Sequence, residues 1–192
     1  MFSRAFTLIE LLIVVAIIGI LAAVAVPNFL NARFRAKIAR VEADMKAVST
    51  ALEQYFLDWN SYVEDQDNDQ GPYGLRRLTS PVSYIPVLPE DPFPSRLGFQ
   101  SIENPTFEFG SGNAGQPAKS WPATAYLIIS SGPNLYEEVD GNDSFPWGVY
   151  IASFDVTNGL NSDGDIVRMG GLWSQGAIFV DGKQITSRGR IF

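Results

Sequence analysis

Residues 6–26 read FTLIELLIVVAIIGILAAVAV, an almost unbroken apolar run that holds one acid, Glu10. About twenty such residues in a helix span the roughly 30 Å hydrocarbon core of a bilayer. A carboxylate near the start of a membrane-length helix costs about 3 kcal/mol to insert unless something partners it. Glu10 is therefore a candidate functional residue, and the run reads as both anchor and assembly spine.

On its N-terminal side the run is preceded only by MFSRA, short and polar with the single base Arg4. No signal-peptidase pattern follows the run, as it would after an ordinary secretory signal. On its C-terminal side, residues 28–56 continue in helical period, with Ile38, Val41, Met45, Val48, Leu52 and Tyr55 stepping by three and four. That stripe requires an apolar partner surface. Gly19 and Pro27 are the two points that would weaken or bend the helix without ending it, and they are candidate sites of helix flexibility. The helix is expected from Phe6 to about Leu57, about 78 Å long at 1.5 Å per residue.

The composition fits one anchor and one compact domain, with 46% hydrophobic, 12% aromatic and 18% charged residues in 192. Net charge is −7, and −8 once residues 1–5 are gone, which disfavours nucleic acid as a partner. The chain contains neither Cys nor His, so disulfides, thiolate nucleophiles and imidazole chemistry are excluded, and any metal must sit on oxygen.

With these residues in view, the N-terminal segment resembles the type IV pilin and type II secretion pseudopilin superfamily. The resemblance is carried by Ala5 before Phe6-Thr7-Leu8-Ile9-Glu10, by Pro27, and by the amphipathic continuation. Residues 28–62 and the later LPEDPF and GDIVR stretches look most like the major pseudopilin group. The resemblance implies an α+β pilin fold, with a long N-terminal helix packed on a C-terminal antiparallel β-sheet head. It also implies prepilin peptidase cleavage between Ala5 and Phe6, N-methylation of Phe6, storage in the inner membrane with the N terminus cytoplasmic, and extraction by an inner-membrane assembly platform into a helical homopolymer. Minor pilins or pseudopilins are implied as further partners. Family members usually carry Gly before the cut, so Ala5 is a departure, though a small one in volume.

Glu10 then acquires a physical role. A carboxylate alone in hydrocarbon tends to be protonated, whereas pairing with the cationic amine of a neighbouring subunit's Phe6 neutralises both charges and fixes the axial register between subunits. The expected organisation is a leader at 1–5, a hydrophobic transmembrane and filament-core helix at 6–27, an amphipathic helix at 28–58, a connecting αβ-loop region at 59–105 and the sheet head at 106–192.

One signal opposes this orientation. Arg33, Arg35, Lys37 and Arg40 crowd the far side of the run, and the positive-inside rule alone would place that side in the cytoplasm. The cleavage motif, which needs a cytoplasmic N terminus, is the more specific signal. The basic cluster reads either as a solvated face or as a docking band for acids such as Glu42 and Asp44 of neighbouring subunits. Within the chain, Glu42 and Lys46 stand in the favourable i,i+4 order.

The helix is expected to end at 58–60, where the pattern turns to DWNSYVEDQDNDQGPYG. Asp65, Asp67 and Asp69 alternate as in an EF-hand, but Gln70 stands where its Gly is required and Arg76 where its Glu is, so that motif is rejected. Residues 73–78 read as a helical turn, and Pro81, Pro86, Pro89 and Pro92 hold the next stretch extended as a strap. Strands are expected at 107–109, 126–130, 149–154, 166–169 and 177–180, with a hairpin at Asp181-Gly182. They are read as one antiparallel sheet that buries a face against the helix stripe.

Major pseudopilins carry calcium in a loop running S-x-G-x-D to a D-I pair. Ser130-Ser131-Gly132-Pro133-Asn134 and Asp165-Ile166 echo it, so the resemblance makes Asn134, Asp163 and Asp165 candidate calcium residues against the alternative of solvated turn acids. No nucleophile elbow, phosphate loop or carboxylate pair in a pocket is recognisable, and an enzyme is not expected. Asn142-Asp143-Ser144 fits a glycosylation sequon that is common by chance, and the aromatics along the helix read as packing. Three functions remain open: a surface type IV pilus-like filament, a periplasmic pseudopilus of type II secretion, and a monomeric membrane-anchored binding protein. Glu10 separates the last from the first two, since a plain anchor gains nothing from it.

Overall fold

The computed structural model describes residues 7–64, 74–93, 106–112, 122–141, 145–155, 157, 163–172 and 177–185. The chain divides into two compact units, Met1–Lys37 and Ile38–Phe192. One helix, α1 (Leu8–Trp59), supplies the first and begins the second.

In the first unit α1 continues through both Gly19 and Pro27. Pro27 has no N–H, so the carbonyl of Ala23 loses its helical donor, yet the helix is not interrupted there. All large apolar side chains from Leu8 to Leu30 are between 45% and 85% exposed, so nothing in this unit buries them.

In the second unit one face of α1 is buried: Ile38, Val41, Met45, Val48, Ala51, Leu52 and Tyr55, the stripe expected from periodicity. The helix stops at Trp59, where Asn60 takes φ 51° and donates its N–H to the Phe56 carbonyl at 2.8 Å. That is a left-handed C-terminal cap, a conformation Asn tolerates better than most residues. A 3₁₀ helix, Gly74–Leu78, follows and buries Leu75 and Leu78. The proline strap ends on Asp91, which is buried and clipped in place: its Oδ1 accepts the Phe93 N–H at 2.8 Å and the Ser130 hydroxyl at 2.9 Å.

The strands are β1 (Glu108–Gly112), β2 (Ala125–Ser130), β3 (Trp147–Ile151), β4 (Ile166–Gly171), β5 (Ala177–Val180) and β6 (Lys183–Ile185). The antiparallel sheet expected of the head is present as β1-β2-β4. The remaining strands form a second sheet, β3-β5-β6, in which the β3–β5 pair is parallel. The chain leaves β3, forms β4 in the first sheet, and returns to lay β5 beside β3, and this crossover allows the parallel pairing. Asp181 and Gly182 turn β5 into β6 with φ 50° and 75°, as the Asp-Gly pair predicts.

β2 is buried along its whole length, which one packed face cannot explain. Its alternate residues Ala125, Leu127 and Ile129 join Val149, Ile151 and Ile178 of the second sheet in one core. Tyr126 points the other way, and its hydroxyl lies 2.6 Å from Ser49 Oγ on α1. The head is therefore three layers, with the first sheet sandwiched between α1 and the second sheet. Gly170 stands opposite Tyr126 because a side chain there would collide with the Tyr126 ring, with a Cβ only 2.3 Å from its hydroxyl.

Candidate functional site

Two sites take shape, one at the start of α1 and one among the head loops. At the first, Ala5 and Phe6 lie outside the described residues. Thr7 and Glu10 close a reciprocal cap. The Glu10 carboxylate accepts the Thr7 N–H at 2.9 Å and the Thr7 hydroxyl at 2.7 Å, while the Glu10 N–H reaches Thr7 Oγ1 at 3.3 Å. This is the capping box that the spacing Thr-x-x-Glu encodes. Thr7 is the residue that a reading focused on hydropathy overlooks, although its signature is local and complete. Both residues of this cap are exposed, so the carboxylate is within reach of an external partner. Residues 8–26 beyond it are long and apolar enough to cross a membrane.

Further along α1, Arg33, Arg35 and Arg40 are exposed. Arg40 pairs with Asp44 at 3.3 Å, an i,i+4 contact largely in solvent and worth about 0.3 kcal/mol.

The second site lies where residues 131–140 meet residues 163–165. Gly164 has φ 111° and packs so close to the Ser153 carbonyl that a Cβ would sit 2.6 Å from it. This delivers Asp165 into the interior, where its backbone pairs with Ala152 and Phe154. Asp165 is buried, and its Oδ2 accepts the backbone N–H groups of Glu138 and Val139, each at 2.7 Å. Asn134 donates its side-chain amide to Glu138 Oε1 at 2.5 Å and accepts the Tyr136 N–H at 3.1 Å. Of the three candidate calcium residues, Asn134 and Asp165 are thus brought together through Glu138. Asp163 is exposed. Glu138 was hidden in sequence as half of an Glu-Glu pair in a loop, and only the fold places it against Asp165.

The electrostatics of this site are unusual. Burial pushes the Asp165 carboxyl up to about 7 against the opposing pull of the two backbone N–H groups, and the Glu138 charge pushes it further in the same direction. Asp165 Oδ1 and Glu138 Oε2 are both buried without a hydrogen-bond partner. Two orphaned carboxylate oxygens suit a hard cation in kind, because such ions bind oxygen. Among the described residues no group of three or more acidic, His or Cys side chains gathers, so carbonyls or water would have to complete a shell of six to eight.

An exposed membrane-length helix with an acid capped at its start, leading into an amphipathic helix that packs on a sheet head, defines the prepilin class of protein. The family model for the prokaryotic N-terminal methylation motif matches residues 1–26. The chain is 38% identical over 120 residues to the type IV major pilin protein PilA of Myxococcus xanthus, covering 58% of this chain and 54% of that one. It is 52% identical over 64 residues to the type IV wide pilus major component PilA4 of Thermus thermophilus, covering 33% and 49%. It is 34% identical over 105 residues to the type II secretion system core protein G of Klebsiella pneumoniae, covering 48% and 71%. The match thus spans about half the length of the two pilins. No solved structure matches. The chain belongs to the type IV pilin and type II secretion pseudopilin superfamily.

Proposed function

We propose that the chain is the structural subunit of a helical, type IV pilus-like filament, cut between Ala5 and Phe6 by a prepilin peptidase, N-methylated on Phe6 and drawn from the inner membrane by an assembly platform. The observation that carries this reading is Glu10, a carboxylate held exposed at the head of the apolar half of α1, whose large side chains from Leu8 to Leu30 are all at least 45% exposed. A neighbouring subunit's Phe6 amine is the partner that would neutralise it and set register. Open-ended, head-to-tail contacts of this kind build filaments. The function is architectural rather than catalytic.

The alternative location, a periplasmic pseudopilus of type II secretion, is favoured by the 71% coverage of the core protein G relative. Electron microscopy of sheared cell-surface material, with mass spectrometry of its subunits, separates the two. The surface reading predicts filaments whose subunit begins at methylated Phe6, and a subunit beginning at Met1 would sink the processing step. Glu10→Val is expected to insert normally in the membrane and to yield no filaments.

The same proposal includes a cation, calcium by its preference for oxygen, at Asp165 and Glu138, beside Asn134. Calcium is expected to raise the melting temperature of the head and chelator to lower it. A melting temperature indifferent to both removes the metal from the reading.

A further inference from the structure

The outer face of the second sheet carries three residues that pair directly across its strands, Tyr150, Phe179 and Gln184, and an isolated antiparallel bridge adds Asp140 beside Tyr150 at the end of the row. Directly paired residues share a face. The opposite face is the one that buries Val149, Ile151 and Ile178. Asp140 and Tyr150 exchange both backbone hydrogen bonds at 2.9 Å, which fixes their side chains next to each other. The Tyr150 and Phe179 rings stack at 4.8 Å with planes 6° apart, and Tyr150 remains 52% exposed. One face of the Tyr150 ring is covered by Phe179, and on its other side an isolated backbone bridge sets Asp140 beside it.

An aromatic face beside a carboxylate is the arrangement that selects a guanidinium, which stacks on the ring and hydrogen-bonds the acid at the same time. The distribution of charge supplies the partner. Between residues 121 and 165 the chain has seven acids and no Lys or Arg, while residues 31–41 have four bases and no acid. Asp155 and Asp181 extend the acidic rim of the second sheet, Asp181 being held by Ser153 and accompanied by Lys183. Arg33 and Arg35 project exposed from α1.

We propose that the Asp140–Tyr150 face of the second sheet docks the basic segment 33–40 of a second copy of this chain, with Arg33 or Arg35 stacked on Tyr150 and paired to Asp140. The proposal rests on the filament reading and names one of the surfaces through which subunits would meet. Opposite charge on the two surfaces steers encounter and disfavours the like-with-like pairings of head on head or helix on helix.

The absence of Cys from the chain makes the test clean. Full-length subunits carrying D140C together with R33C, or with R35C, are assembled in cells, sheared and mildly oxidised. One of the two pairs is expected to give disulfide-linked dimers and a ladder, and the single variants none. In parallel, D140R is expected to cut filament yield about tenfold, as loss of one buried charged contact does, with recovery in D140R/R33E or D140R/R35E. Normal filaments from the double-cysteine subunits without any cross-link, together with wild-type yield from D140R, overturn this surface and leave the assembly reading standing. Failure of the native chain to give filaments overturns the assembly reading itself, and this surface with it.

Discussion

The two halves of α1 are equally helical and oppositely placed in energy. From Leu8 to Leu30 the large apolar side chains are at least 45% exposed, whereas Val41, Met45, Val48 and Leu52 are at most 1% exposed. One continuous secondary structure thus serves two different solvents. The amphipathic half finds its apolar partner within the chain, in the first sheet. The apolar half finds none among the described residues, and contiguous exposed apolar surface on this scale marks a membrane or protein contact. Stability of the head and competence to assemble should accordingly be separable by mutation along a single helix.

The sharpest way to break that separation is Met45→Asp. An unpaired carboxylate in the buried stripe should cost roughly 4 kcal/mol or more and unfold the head, whereas Leu12→Asp should leave the head's circular dichroism melt unchanged. Equal effects on the melt would mean that the two halves are not independent.

Next in size is the pH response of Asp165. Burial pushes its folded carboxyl from the ordinary 3.8 up to about 7, so between these limits the folded head holds a proton that the unfolded chain has lost. Stability is then greatest below about pH 4 for this group and falls as pH rises toward 7, by about 2 to 4 kcal/mol in all, solvent screening reducing the upper figure. Asp165→Asn should flatten the slope measured by urea titration in metal-free buffer, and calcium, by holding both carboxylates ionised, should flatten it too. A flat profile in the metal-free wild type contradicts the assignment.

A smaller effect is expected from Asp91→Ala, which strands the Phe93 N–H and the Ser130 hydroxyl and should lower head stability by about 2 kcal/mol. Smallest is Thr7→Ala. Loss of the cap should cost about 1 kcal/mol of local helix stability, visible as faster amide exchange over the first turn, with the head melt unmoved.

Much of this organisation was legible in sequence, for definite physical reasons. Helical periodicity is a local signal, so the stripe from Ile38 to Tyr55 and the stop at Asn60 could be read directly. The Asp181-Gly182 turn carries its own backbone requirement and declared its hairpin. Strand pairing is different. Segments as short as β3 and β5 reveal that they are strands without revealing their partners, and the parallel pair and the second sheet depend on where β4 goes. The candidate site divides in the same way. Glu10 stood out because an acid is costly inside an apolar run, while Glu138 belongs to an acidic loop that looks solvated until Gly164 brings Asp165 beneath it. Thr7 was readable from spacing to Glu10, a pattern the surrounding hydropathy obscures.

The burial of β2 on both faces has a consequence in time rather than in energy. Water reaches a backbone amide by local or global opening, and Tyr126 to Ile129, paired on both edges and covered above and below, can exchange only when all three layers part. These few amides are the slowest clock in the head. Isotope retained there, in a free subunit or in a fibre many subunits long, would report how often the head as a whole comes apart.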